Sequence, residues 1–320
     1  MAGSVTMAPR NSALETASRK SAGRLRRLLR SQRAFFADAG ALWGAGLTLS
    51  VLLLVVVGPF VAPNPPIDFI GVPFESPSSY APLGTDIVGR DVLSRVLSGG
   101  TVILSLSAIA TLLGVMAGGL LGISAGYFKG LVDDVIMRTL DVLLAFPQTI
   151  LALLFVSVLG TSFVLIAVLV AAIHAPQVAR VIRAAALRVA GEDFVEYARG
   201  IGASPLKIMV REIAPNVVGP LLVELGLRFT YSIALIAGLS FLGLAQDPPA
   251  PNWGLMLNEN RIGMLQNPWP VAVPVLLIAV LTVGVNLLTD AYGRWTAHGA
   301  PRAAPDSAQD VGAQDVGEPL

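Results

Sequence analysis

Two histidines, His174 and His298, and no cysteine limit the chemistry open to this chain of 320 residues. Disulfides, thiolate metal sites and thiol nucleophiles are excluded by composition. No HExxH pair occurs, and no paired carboxylates fall within an apolar run, so an intramembrane hydrolase has nothing to work with. The loop PLGTDIVGRDVLSRVLSGG at 82–100 has a phosphate-loop look in Gly84, Gly89 and Arg90. It lacks the Lys and following Ser/Thr that such a loop requires, and Asp86 and Asp91 would repel phosphate. No other segment offers a nucleotide-binding loop, so any ATP chemistry belongs to another polypeptide. No cofactor or metal is expected.

Two sets of residues remain. The first is EDFVEYARGIGASPLKIMVREIAPN at 192–216, a charged amphipathic island between long apolar runs. Its pattern predicts two short helices, about 193–201 and 206–212, hinged at Gly202, Ala203, Ser204 and Pro205. Glycine frees the backbone there, and proline suits the first turn of the second helix. Such an island is built to touch another protein; the competing reading is an amphipathic loop lying on lipid headgroups. The second set comprises ionisable groups inside apolar runs, where isolated charge is expensive. His174 lies deep in one run, two residues before Pro176, and is either a packed, hydrogen-bonded histidine or part of a substrate path. Glu224 and Arg228 have the favourable helical spacing near the start of another run and are expected to pair or to anchor the helix. Arg138 and Asp141 are expected to do likewise.

The elements that position these groups are membrane spans. With 54% hydrophobic residues, 13% charged and a mean hydropathy of +0.71, the chain reads as an all-α integral membrane protein. A span needs about 20 apolar residues, and six runs qualify: 41–61, 101–125, 137–158, 162–182, 218–244 and 269–290. The first 33 residues carry Arg10, Arg19, Lys20, Arg24, Arg26, Arg27, Arg30 and Arg33 against only Glu15. That bias puts the N-terminus in the cytoplasm and gives no reason to invoke nucleic acid. Six crossings then place 62–100, 159–161 and 245–268 outside, 126–136 and 183–217 inside, and both termini in the cytoplasm. The first run lies too far from the N-terminus for a secretory signal and reads as an uncleaved anchor. Four regions follow: a basic tail at 1–38, the first span with its external loop at 39–100, the main transmembrane domain at 101–290, and a disordered tail at 291–320 with its repeated AQDVG. In the second run Gly114, Gly118, Gly122 and Gly126 line one helix face, which suits close backbone approach in lipid.

Glu196, Tyr197 and Ala198, with Gly202 six residues after the glutamate and Pro215 thirteen after the glycine, resemble the EAA loop of ATP-binding cassette (ABC) importer permeases. The words GIGASPLKI and REIAPN, the loop at 82–100, AGYFKGLVDDVIMRTLDVLLAFP at 125–147 and SFLGLAQDPPAPNWGLML at 240–257 extend the likeness over about 82–290. They resemble the C-type permease of dipeptide, oligopeptide and nickel importers. Tyr197 stands where the motif usually has Ala, and Glu212 where this branch often has His. The resemblance implies a six-helix type I ABC importer permease fold in the inner membrane. It also implies a second, B-type permease, two cytoplasmic ATPases and an extracytoplasmic binding protein as partners. Phe194, Val195, Glu196, Tyr197, Ala198, Gly202, Ala203 and Ser204, with Pro215, would be the ATPase contact, the apolar members filling a groove and Gly202 setting the bend. The implied activity is passage of peptides or a related solute, without enzymatic chemistry. An ion-coupled secondary transporter is the alternative from another class, and it would call for intramembrane carboxylates and often an internal repeat. A non-transporting membrane anchor is the third reading.

Overall fold

The computed structural model describes residues 38–244 and 250–299, and apart from two isolated β-bridges its regular structure there is helical. The basic tail up to residue 37 and the AQDVG repeat lie outside the described residues. Ten helices follow in order: α1 Ala39–Val61, α2 Val92–Phe128, α3 Gly130–Leu144, α4 Gln148–Leu159, α5 Phe163–Val189, α6 Asp193–Gly200, α7 Pro205–Ile208, α8 Val218–Phe241, α9 Trp253–Asn260 and α10 Trp269–Gly299. Among the described residues five are long and apolar enough to cross a bilayer, and a sixth crossing is available if α3 and α4 form one bent span.

Two spans depart from the expected form. The helix α2 starts nine residues before the apolar run does, because the Asp91 carboxylate caps it by accepting from the amides of Leu93 and Ser94. At 37 residues it is about 55 Å long, well beyond a hydrocarbon core of about 30 Å. Its first turns therefore reach beyond the hydrocarbon core, into the region that hydropathy alone assigned to a loop. The run at 137–158 is not one helix but α3 and α4, bent by 80°. Pro147 causes the break: it disfavours helical geometry at Phe146, and its own backbone is extended.

Gly114, Gly118, Gly122 and Gly126 of α2 face α5 in a close seam. A Cβ on Gly118 would sit 2.5 Å from the Ala175 carbonyl oxygen, and one on Gly122 would sit 2.6 Å from that of Ala179. These side chains are missing because two backbones meet there. The core has two parts. The outer one gathers Val55, Val96, Ile103, Ile233, Ile236 and Trp253; the Trp253 indole donates to the Val96 carbonyl at 2.8 Å, so the segment after 250, expected to be external, folds onto the bundle. The inner one gathers Val178, Ile182, Ala185 and Ala186 of α5 with Val195, Ile208, Ile213 and Val217, which fastens residues 192–217 to the base of the spans.

Candidate coupling loop and intramembrane polar cluster

Acidic Asp193 and Glu196 in the first turn of α6 and Arg199 in the last complement its dipole. The helix ends in a Schellman closure. The Gly202 amide donates to the Arg199 carbonyl at 3.0 Å and the Ala203 amide to the Ala198 carbonyl at 3.1 Å, with Gly202 at φ +78°. A Cβ at Gly202 would meet nothing within 4 Å, so the demand for glycine there is conformational rather than steric. Ser204 then caps α7, its hydroxyl accepting from the Lys207 amide, and Pro205 occupies the first turn. The second expected helix is only four α-helical residues long; a π-turn at Met209–Ile213 and a 3-10 turn at Ala214–Asn216, containing Pro215, complete it.

The two faces of this loop are sharply different. Val195 and Ala198, expected among the outward contacts, are buried in the inner core. Helical geometry places them one turn apart on the side turned into the inner core, so they fasten the loop and do not present it. Phe194, Glu196 and Tyr197 point away, Tyr197 at 71% exposure. Ser204 is also exposed and Ala203 half-buried. Three apolar residues that sequence reasoning missed, Ile201, Leu206 (68% exposed) and Val210, extend the outward face. The spacing of Phe194, Tyr197 and Ile201, at i, i+3 and i+7, was the available signal for the first of them. The Arg199 guanidinium lies over the Tyr127 ring, 4.8 Å from its centroid, and ties α6 to the end of α2.

Above the loop, α5 is strapped to α3. Both nitrogens of an Arg183 fork donate to the two Asp133 carboxylate oxygens, and Arg180 pairs with Asp141. Asp141 was expected to pair with Arg138 on its own helix. Instead α3 runs beside α5, which offers the better-placed cation across the gap.

Deeper in the bundle, His174 Nε2 lies 3.0 Å from the Ser232 hydroxyl, which lies 2.9 Å from that of Thr111. His174 is almost wholly buried, and among the described residues its Nδ1 has no partner. Glu224 and Arg228 do pair, at 2.9 Å. They are not at the start of the span, however: Arg228 is ten residues into α8, about 15 Å along it. Gln177 accepts from Arg228, and the Tyr231 ring lies 5.1 Å from the guanidinium.

At the opposite end of the bundle from the loop, residues of the segment with the phosphate-loop look form an ion cluster. Asp86 accepts from Arg90 at 2.7 Å and lies 3.2 Å from Arg95; Glu259 accepts from Arg90 at 3.2 Å and Arg95 at 2.8 Å. Glu259, on α9, is too distant in sequence for the spacing of 82–100 to reveal it. Nearby, Tyr80 donates to Glu75, whose carboxylate holds the phenol above its ordinary pKa. Among the described residues no three acidic or histidine side chains converge to hold a metal.

Residues 118–298 match the family model described as "Binding-protein-dependent transport system inner membrane component". The glutathione transport system permease protein GsiD of Pectobacterium atrosepticum is 40% identical over 216 residues, covering 68% of this chain and 72% of that protein. The GsiD of Escherichia coli O6:K15:H31 is 40% identical over 247 residues, covering 76% and 82%. The dipeptide transport system permease protein DppC of Haemophilus influenzae is 33% identical over 263 residues, covering 80% and 89%.

Proposed function

The chain belongs to the binding-protein-dependent transport inner membrane components; from that premise we propose that it is one of two permeases forming the path of an ABC importer for peptide-type solutes. Its relatives named for glutathione and dipeptide transport favour peptides over nickel. The chain is a permease and not an enzyme; separate ATPase subunits supply the ATP chemistry, and an extracytoplasmic binding protein delivers the solute. Both termini lie in the cytoplasm, with the α3–α4 pair making the third crossing.

The observation that carries the coupling role is the two-faced loop. Val195 and Ala198 hold it in the inner core, while Phe194, Tyr197, Ile201, Leu206 and Val210 leave an apolar face uncovered on the same short segment. A partner groove that takes this face can push on the bundle, and ATP binding biases the path only by gripping its two states differently. Glu196 flanks the contact, Gly202 with Ala203 and Ser204 sets its bend, and Pro215 closes the turn into α8.

The test is reconstitution of the whole complex, both permeases, ATPases and binding protein, in proteoliposomes with the proton gradient collapsed by an uncoupler. ATP-driven accumulation of a dipeptide or of reduced glutathione is the expected result. Uptake that follows the proton gradient and ignores ATP would refute the reading.

A further inference from the structure

Arg228 is an unusual residue to find about 15 Å along a membrane-spanning helix, because a charge at that depth must be matched or hydrated. It is matched only in part. Glu224 takes its Nε proton and Gln177 accepts from Nη1, while among the described residues Nη2 has no protein acceptor. The side chain is 12% exposed, so the guanidinium is not sealed in. Beside it on α8, Tyr231, Ala234 and Gly238 are exposed among the described residues. The Tyr231 ring, itself exposed, lies 5.1 Å from the guanidinium. Asp86 and Arg95 are both sealed from solvent, whereas Arg228 keeps an open edge.

We propose that Arg228, presented by Glu224, Gln177 and Tyr231, is a mid-membrane contact for the carboxylate of the passing solute. This rests on the transport function proposed above. A planar guanidinium offers two parallel donors to a carboxylate. Glu224 keeps the Nε edge, and the Nη edge takes the solute, with the Gln177 carbonyl the ligand it exchanges. Glu224 offsets the positive charge, so the grip is weak enough for release, which a transport path needs. A zwitterionic peptide also leaves the local charge sum at zero as it passes.

The experiment uses the complete complex in proteoliposomes, with labelled dialanine and reduced glutathione as probes. Arg228→Gln removes the donor fork; Glu224→Gln with Arg228→Gln removes it without leaving a lone buried carboxylate, which guards against misfolding. Solute moved per ATP hydrolysed is expected to fall tenfold or more in both. A ratio within twofold of wild type in the double variant would overturn the inference. So would loss of the second permease from the purified complex, or an equal fall of uptake and binding-protein-stimulated hydrolysis, since either marks a strut. If the wild type accumulates neither probe with ATP, the proposed function fails and takes this inference with it. Normal wild-type accumulation with an unaltered ratio in the variants defeats the inference alone.

Discussion

Valine at Gly202 should uncouple the transporter without disturbing its insertion. The residue sits at φ +78° in open space, so a substituent there clashes with nothing. The whole cost is backbone conformation, about 1 kcal/mol for alanine and toward 2 for a β-branched residue. If the chain relaxes instead, it gives up the Gly202 and Ala203 closure bonds, each worth about 1 kcal/mol, and the outward face moves. On either route the ratio of correctly bent to relaxed loop falls roughly fivefold for alanine and toward thirtyfold for valine. Asparagine tolerates the left-handed region and should behave nearly as glycine. The assay is binding-protein-stimulated ATP hydrolysis and uptake across Gly202→Asn, Gly202→Ala and Gly202→Val at matched membrane levels, with activity declining in that order. Full uptake by Gly202→Val would refute the hinge. An asparagine variant as impaired as valine would show that space at a partner surface, not φ, dictates glycine.

Phe194→Ala with Tyr197→Ala should release the ATPases from purified complex while leaving the second permease bound and the melting temperature unchanged, since exposed anchors dominate such contacts; retention of the ATPases with stimulated hydrolysis would count against the docking face. Val195→Ala should do the reverse and lower thermal stability by about 1–3 kcal/mol, because it opens a cavity beneath the loop. Gly122→Ile would drive a branched side chain into the α5 backbone, and the protein should fail to accumulate in membranes; normal levels would deny the close seam. Because the chain lacks cysteine, Leu265→Cys should label in intact cells with an impermeant thiol reagent and Ser204→Cys should not; labelling at 204 would overturn the proposed orientation. Asn252 is unsuitable as the external probe, being buried as the cap of α9.

The sequence was most legible where one local rule sufficed. Apolar length gave the spans, the glycine period gave the α2 seam, and Gly202 with Ser204-Pro205 gave the loop bend, because each is written in neighbouring residues. Hydropathy could not locate the start of α2, since a capped polar helix carries no apolar signal, nor the α3–α4 break, since apolar residues flank Pro147 on both sides. It was also blind to pairings across helices: Arg180 with Asp141 and Glu259 with Arg95 join residues 39 and 164 apart. The direction of Val195 and Ala198 depended on where α5 passes, which the loop does not encode. Family resemblance named the loop, while helical spacing decides which of its side chains face outward.

The inner core makes α5 and the loop one mechanical body. The helix is 27 residues long, about 40 Å, and its C-terminal end is gripped through Ile182, Ala185 and Ala186. A load that shifts the loop by the width of one methylene, roughly 1.3 Å, therefore tilts such a rod by about 2° if its far end is held. Pro176, near its midpoint, omits one backbone hydrogen bond and offers a place for that tilt to become a bend. His174 is two residues away and Gln177 one, so the first side chains to feel a flexing α5 are those that hold Ser232 and Arg228.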